Sequence, residues 1–138
     1  MEGKRRKSRE TVLRLLYSLE LNPKSLKEAL QDICIIDKIE ALDEFTIKLF
    51  EGVINNKEKI DAFITEYVKN WKIERIALID KNIMRLAIFE MTSLPDIPHI
   101  VSINEAVDIA KKYSTKDSGK FVNGILDNIN KDLSEQNP

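Results

Sequence analysis

The amino-acid sequence predicts an all-α fold. Apolar residues recur at three- and four-residue intervals along most of the chain, the spacing of one helix face. Only four glycines and four prolines punctuate 138 residues, which suits long helices and short loops better than many short strands. Helix-start signals precede the apolar runs, with Ser25 and Glu28, and again Ser102 and Glu105, in capping-box spacing. The length is that of one domain with a real core, and roughly seven helices in a packed bundle account for it.

Taken in order, the first helix starts near Ser8, with Val12, Leu15, Leu16 and Leu19 on one face. Tyr17 lies off that stripe, beside Glu10, Leu13 and Arg14. It suits either an edge of the core or a platform for an unstacked RNA base. Asn22-Pro23 ends this helix. Ser25 caps a short second one with Leu26, Leu30 and Ile33 inside, Cys34 follows as a small buried hydrophobe, and 35–41 reads as a connector. Asp43 caps a third helix reaching about Asn55, with Phe45, Leu49, Phe50 and Val53 inside. The next runs from Lys57 to about Asn70 on Ile60, Phe63, Ile64 and Tyr67, and Trp71 is expected to bridge the core after it.

Residues 75–92 are apolar almost all round, which places this helix, with or without a short turn before it, at the centre of the bundle. Glu90 falls on its apolar face, where an ionised carboxylate needs a partner; a structural bond to a neighbouring helix is expected. Asp80 lies about 100° from Ile79, where the helix could meet a partner. Residues 94–98 stop the helix, and Ser102 with Glu105 opens the next on Ile103, Ala106, Val107 and Ala110. Ser118 is placed to cap the last, whose stripe is Phe121, Val122, Ile125, Leu126 and Ile129. Gly124 inside it suggests close approach of another backbone or a ligand.

Composition narrows the function. Hydrophobic residues at 43% and charged residues at 33% describe a soluble protein with many solvated helix faces. No apolar run approaches the ~20 residues that span a bilayer, and no secretory signal follows the N-terminal charges. Cys34, alone, cannot close an intrachain disulfide, so a cytoplasmic location is the expectation. The net charge of −1 hides an asymmetry. Lys4, Arg5, Arg6, Lys7, Arg9 and Arg14 face only Glu2 and Glu10 within residues 1–14, a net of +4, and the remainder is −5. Clustered cations suit a polyanion, although a solubilising tail has the same composition. His99 is the sole histidine and no glycine-rich loop has a nucleotide-binding pattern, so neither catalysis, metal nor cofactor is expected.

The wording of the sequence adds to its periodicity. INEAVDIAKKY followed by KDSGKFVNGILDNI closely resembles the C-terminal signature of the NusB family of bacterial transcription antitermination factors. RRKSRETVLRLLYSLEL resembles that family's basic start and first helix, and IDKNIMRLAIFEM with its short proline-containing loop resembles the central helix. The resemblance implies a single domain over 1–138, two packed small helical bundles, with residues 1–9 a basic arm near the C-terminal hairpin. It implies binding of boxA-type single-stranded RNA together with the ribosomal protein NusE, within an RNA polymerase antitermination complex that reads ribosomal RNA operons. Lys4, Arg5, Arg6, Lys7 and Arg9 would then grip phosphates, and Tyr17, Tyr113, Asp117, Lys120 and Phe121 would line the RNA face. Asp80 would contact NusE, and His99 stands where relatives carry an aromatic. The same fold begins ribosomal RNA cytosine methyltransferases, but 138 residues leave no room for their catalytic domain, so a non-enzyme is expected. A helical protein-interaction module without RNA binding is the alternative, and a homodimer covering the RNA face stays open.

Overall fold

A computed structural model describes residues 3–68 and 73–136, and these contain seven α-helices. They are α1 (Lys4–Leu21), α2 (Leu26–Asp37), α3 (Glu44–Asn55), α4 (Lys57–Tyr67), α5 (Leu78–Ser93), α6 (His99–Tyr113) and α7 (Lys116–Gln136). A single 3-10 turn at Ile73–Arg75 precedes α5, and the described residues include no strand. Trp71 lies outside the described residues.

The short-range signals at two helix starts hold. The Ser25 hydroxyl accepts from the Glu28 amide at 3.1 Å, and an Asp43 carboxylate oxygen accepts from the Thr46 amide at 2.8 Å. A hydrogen bond from the Thr46 side chain is the main cause holding the Asp43 carboxyl below the usual range; burial opposes it and the amide bond adds to it. Elsewhere the ends move. Helix α1 begins at Lys4 and not near Ser8, so Lys4–Arg9 form its first turns. Helix α2 continues through Ile35 and Ile36, both exposed, and stops at Lys38, whose φ of 56° puts it in the left-handed region. The last helix is capped by Thr115, whose hydroxyl accepts from the Ser118 amide at 3.0 Å. Ser118 therefore occupies the first turn and is not the cap.

Helix α5 is the centre. Every residue from Asn82 to Met91 is buried, and the helix contacts α1, α3, α4, α6 and α7. Helices α1–α3 lie to one side and α4, α6 and α7 to the other, with one continuous apolar cluster running through both. Gly52 is a packing position, because a Cβ there would enter the Phe89 ring. Gly124 is not: its added Cβ would meet nothing within 4 Å, so no other backbone among the described residues approaches it closely.

Helix α1 runs antiparallel to α5, since Arg9 meets Glu90 near one end and Glu20 meets Arg85 and Lys81 towards the other. Arg85 is buried and its guanidinium forks onto Asp61 at 2.7 and 2.9 Å, with Glu20 and Asn82 completing the shell. This network joins α1, α4 and α5. A second buried arginine lies at the other end of α1, among the residues that the sequence marks as an RNA grip.

Candidate nucleic-acid interface

The basic start of α1 is divided by the fold into clamped and free cations. Arg9 is 3% exposed. Its guanidinium donates to both oxygens of Glu90 at 2.7 Å and to Glu105 Oε1 at 3.0 Å, while the Ser102 hydroxyl donates to Glu90 Oε1 at 2.8 Å. Burial disfavours the Arg9 charge, but Glu90 and Glu105 outweigh it and raise its pKa. Arg6 forks onto Glu105 and reaches Asp108 at 3.0 Å. These bonds correct two expectations. Arg9 cannot reach a phosphate, because it is enclosed and neutralised, and Arg6 is committed to α6. Ser102 and Glu105 form no capping box either, because α6 begins at His99 and both side chains point into this network.

Glu90 fulfils the expected structural role, bonded to α1 and α6 at once. Lys4, Arg5 and Lys7 remain exposed, with no ion pair among the described residues; the Arg5 guanidinium lies 4.5 Å over the Phe45 ring.

Tyr17 and Tyr113 are each 38% exposed. Helix periodicity puts Tyr17 one turn beyond Arg14, which pairs with Asp37 at 2.9 and 3.0 Å and holds that carboxyl below its usual range. Tyr113 closes α6 and donates its hydroxyl to Glu10 Oε1 at 3.1 Å. Burial and then Glu10 push its pKa up, while Arg14 and Lys112 act in the opposite direction. After two intervening residues α7 begins, with Asp117 and Lys120 exposed and Phe121 half-buried. Lys111 packs its aliphatic stem over Gly119, where a Cβ would collide with it. A strip of aromatic and charged groups thus runs from the flank of α1 across the end of α6 onto the first turns of α7.

Asp80 ends up at the edge of this strip. It is 6% exposed and its Oδ1 has no hydrogen-bond partner, and burial raises its pKa while the Ser118 hydroxyl partly opposes the shift. With Arg75, Ile76, Ala77 and Phe121 it lines an open cleft of about 200 Å³. The fold therefore brings together Asp80 and Phe121, which the sequence assigns to different partners.

The NusB family model matches residues 6–131. The transcription antitermination protein NusB of Thermodesulfovibrio yellowstonii is 46% identical over 145 aligned residues, covering 94% of this chain and 93% of that protein. This chain belongs to the NusB family. T. maritima NusB superposes with a TM-score of 0.82 at 36% identity, covering 95% of this chain and 93% of that one. A crystal structure of the antitermination factors NusB and NusE in complex with dsRNA superposes at 0.83 with 28% identity, covering 95% and 98%.

Within this NusB fold, His99 is the first residue of α6 and bonds through Nδ1 to Asn130 Oδ1 at 2.7 Å, so it ties α6 to α7. No group of three or more metal-ligating side chains comes together among the described residues. No helix there is long and apolar enough to cross a membrane. Sequence reasoning places Glu10 beside Tyr17 but not its partners Lys112 and Tyr113, and it misses Asp37, because these contacts form only between helices.

Proposed function

We propose that this protein is a transcription antitermination factor that binds boxA-type single-stranded RNA jointly with NusE and promotes processive transcription of ribosomal RNA operons. The observation that carries it is the superposition, over nearly the whole of both chains, on a NusB that was crystallised with NusE and RNA. The exposed cations Lys4, Arg5 and Lys7 and the strip from Tyr17 and Tyr113 to Lys120 and Phe121 supply phosphate contacts and stacking surfaces of the required kinds. Asp80 with its cleft is the NusE contact in this reading, and the RNA polymerase antitermination complex is the assembly in which both meet. Internal pairing of Arg6, Arg9 and Arg14 leaves the isolated protein few free cations, so NusE is expected to raise its RNA affinity.

The test is RNA binding by this protein, by NusE and by their mixture, with boxA-type and unrelated RNA at fixed salt. Tight, sequence-selective binding by the mixture is the expected result. An equally weak response to both RNAs, with NusE still captured, favours a protein-interaction module. Sedimentation of the free protein in the same buffer shows whether a homodimer competes with RNA.

A further inference from the structure

We infer that Glu10 is a specificity-determining residue of the RNA face, a carboxylate that takes the place of an RNA phosphate until a base is stacked beside it. Glu10 projects from α1 to the end of α6. Its Oε1 and Oε2 accept from Lys112 Nζ at 3.2 and 3.0 Å, and Oε1 also accepts from the Tyr113 hydroxyl at 3.1 Å. The Glu10 side chain is only 12% exposed, whereas that of Lys112 is 45% exposed. The acceptor therefore sits beneath its donors, which remain at the surface. Lys112 Nζ also lies 5.4 Å over the Tyr113 ring. An ammonium, a phenol hydroxyl and an aromatic face are the groups that bind one nucleotide, as phosphate contacts and a stacking platform.

In this structure the carboxylate satisfies both donors. A phosphate that arrives alone must break the ion pair and leave Glu10 half-enclosed with fewer donors. A nucleotide whose base also stacks on Tyr113 offsets that loss. Glu10 thereby weakens contact with RNA that offers only a charged backbone, which is the sequence-independent share of binding.

This inference rests on the proposed RNA binding, and the experiment separates the two. Binding of the wild type with NusE to boxA-type and unrelated RNA is measured across a salt series beside Glu10→Gln, which keeps an acceptor for Tyr113 but removes the carboxylate charge that faces Lys112. Glu51→Gln removes an equal charge from an exposed site on α3 and reports the general electrostatic effect. Glu10→Gln is expected to tighten binding of unrelated RNA by roughly threefold or more at low salt and to steepen its salt slope by about 0.7, one added single-strand phosphate contact. Binding of boxA-type RNA should change less, so discrimination falls. Melting of both variants establishes that the fold is intact, and Tyr113→Phe, which removes one donor but keeps the ring and the Glu10–Lys112 pair, should not tighten binding of unrelated RNA. If Glu10→Gln changes both RNAs by the same factor, or no more than Glu51→Gln does, the inference is wrong. If the wild type with NusE binds no RNA, it is the proposed function that fails.

Discussion

The amino-terminal turns of α1 and the first turns of α7 carry the same kinds of residue, yet the fold uses them differently. In α1, Arg6, Arg9 and Arg14 are each held by carboxylates from another helix, and Arg9 is enclosed completely. In α7, Lys116 and Lys120 are exposed with no ion pair among the described residues, and Asp117 beside them is exposed as well. The difference is one of surroundings. Arg6 and Arg9 lie across the end of α5 and one flank of α6, where Glu90, Glu105 and Asp108 converge, and Arg14 meets Asp37 at the end of α2. The first turns of α7 follow directly on a surface loop. A basic stretch is therefore partly clamped at the start of α1 and open to solvent at the start of α7. The +4 charge of the N-terminal residues overstates what RNA can reach.

Breaking the clamp should have the largest effect. Arg9→Ala leaves Glu90 buried without its cation, a change of about 3–5 kcal/mol for a broken buried pair. Urea unfolding should show that loss, and RNA binding should fall only in proportion to the unfolded fraction. An Arg9→Ala protein of normal stability with weakened RNA binding would make Arg9 a direct contact after all.

The free cations sharpen the comparison from the other side. Lys4→Ala with Lys7→Ala, and separately Lys116→Ala with Lys120→Ala, should leave melting nearly unchanged. Each pair should flatten the RNA salt slope by up to about 1.4, roughly 0.7 per lost contact. A flattening confined to one pair would locate the phosphate path at that end.

Acid titration distinguishes the two ends by sign. The hydrogen bond from Arg6 is the leading cause that holds the Glu105 carboxyl below its usual range, with Arg9 adding to it and burial opposing. Its folded pKa is lower than its unfolded one, so its stabilisation is present above the ordinary Glu value of about 4.3 and is lost as pH falls through the depressed value. Asp80, near α7, is shifted upward by burial, so its ionised form opposes folding and its unfavourable contribution disappears as pH falls. Glu105→Gln should flatten the acid limb of the stability curve, whereas Asp80→Asn should raise stability at neutral pH. Identical pH profiles for both variants would contradict these assignments.

The smallest expected effect is at Gly124, on the open face of α7. With empty space around the added methyl, Gly124→Ala should stabilise the helix by up to about 1 kcal/mol, visible as a raised melting temperature. A loss of RNA binding in a stabilised Gly124→Ala protein would show that RNA approaches the backbone there.

Much of the architecture is legible in the sequence because helix formation is local. The stripes Val12–Leu16 and Val122–Ile129 have helical spacing and are buried, and Ser25 and Asp43 cap the helices they precede. Glu90 is recognisable as a structural carboxylate because an apolar face cannot hold a lone charge. The family blocks in α1, α5 and the α6–α7 hairpin likewise point to membership without coordinates.

What tertiary structure alone decided is which polar group meets which. Ser102 and Glu105 have the spacing of a capping box, yet α6 starts three residues earlier and they join Arg6 and Arg9 instead. A cap contributes about 1 kcal/mol, whereas a buried arginine and carboxylate left unpaired cost several, so the long-range network wins. The same holds for Arg14 with Asp37 and for Glu10 with Lys112 and Tyr113, partners separated by 23 to 103 positions. Periodicity places each residue on a face of its own helix, but the neighbour across the gap is set by how the other helices pack around α5.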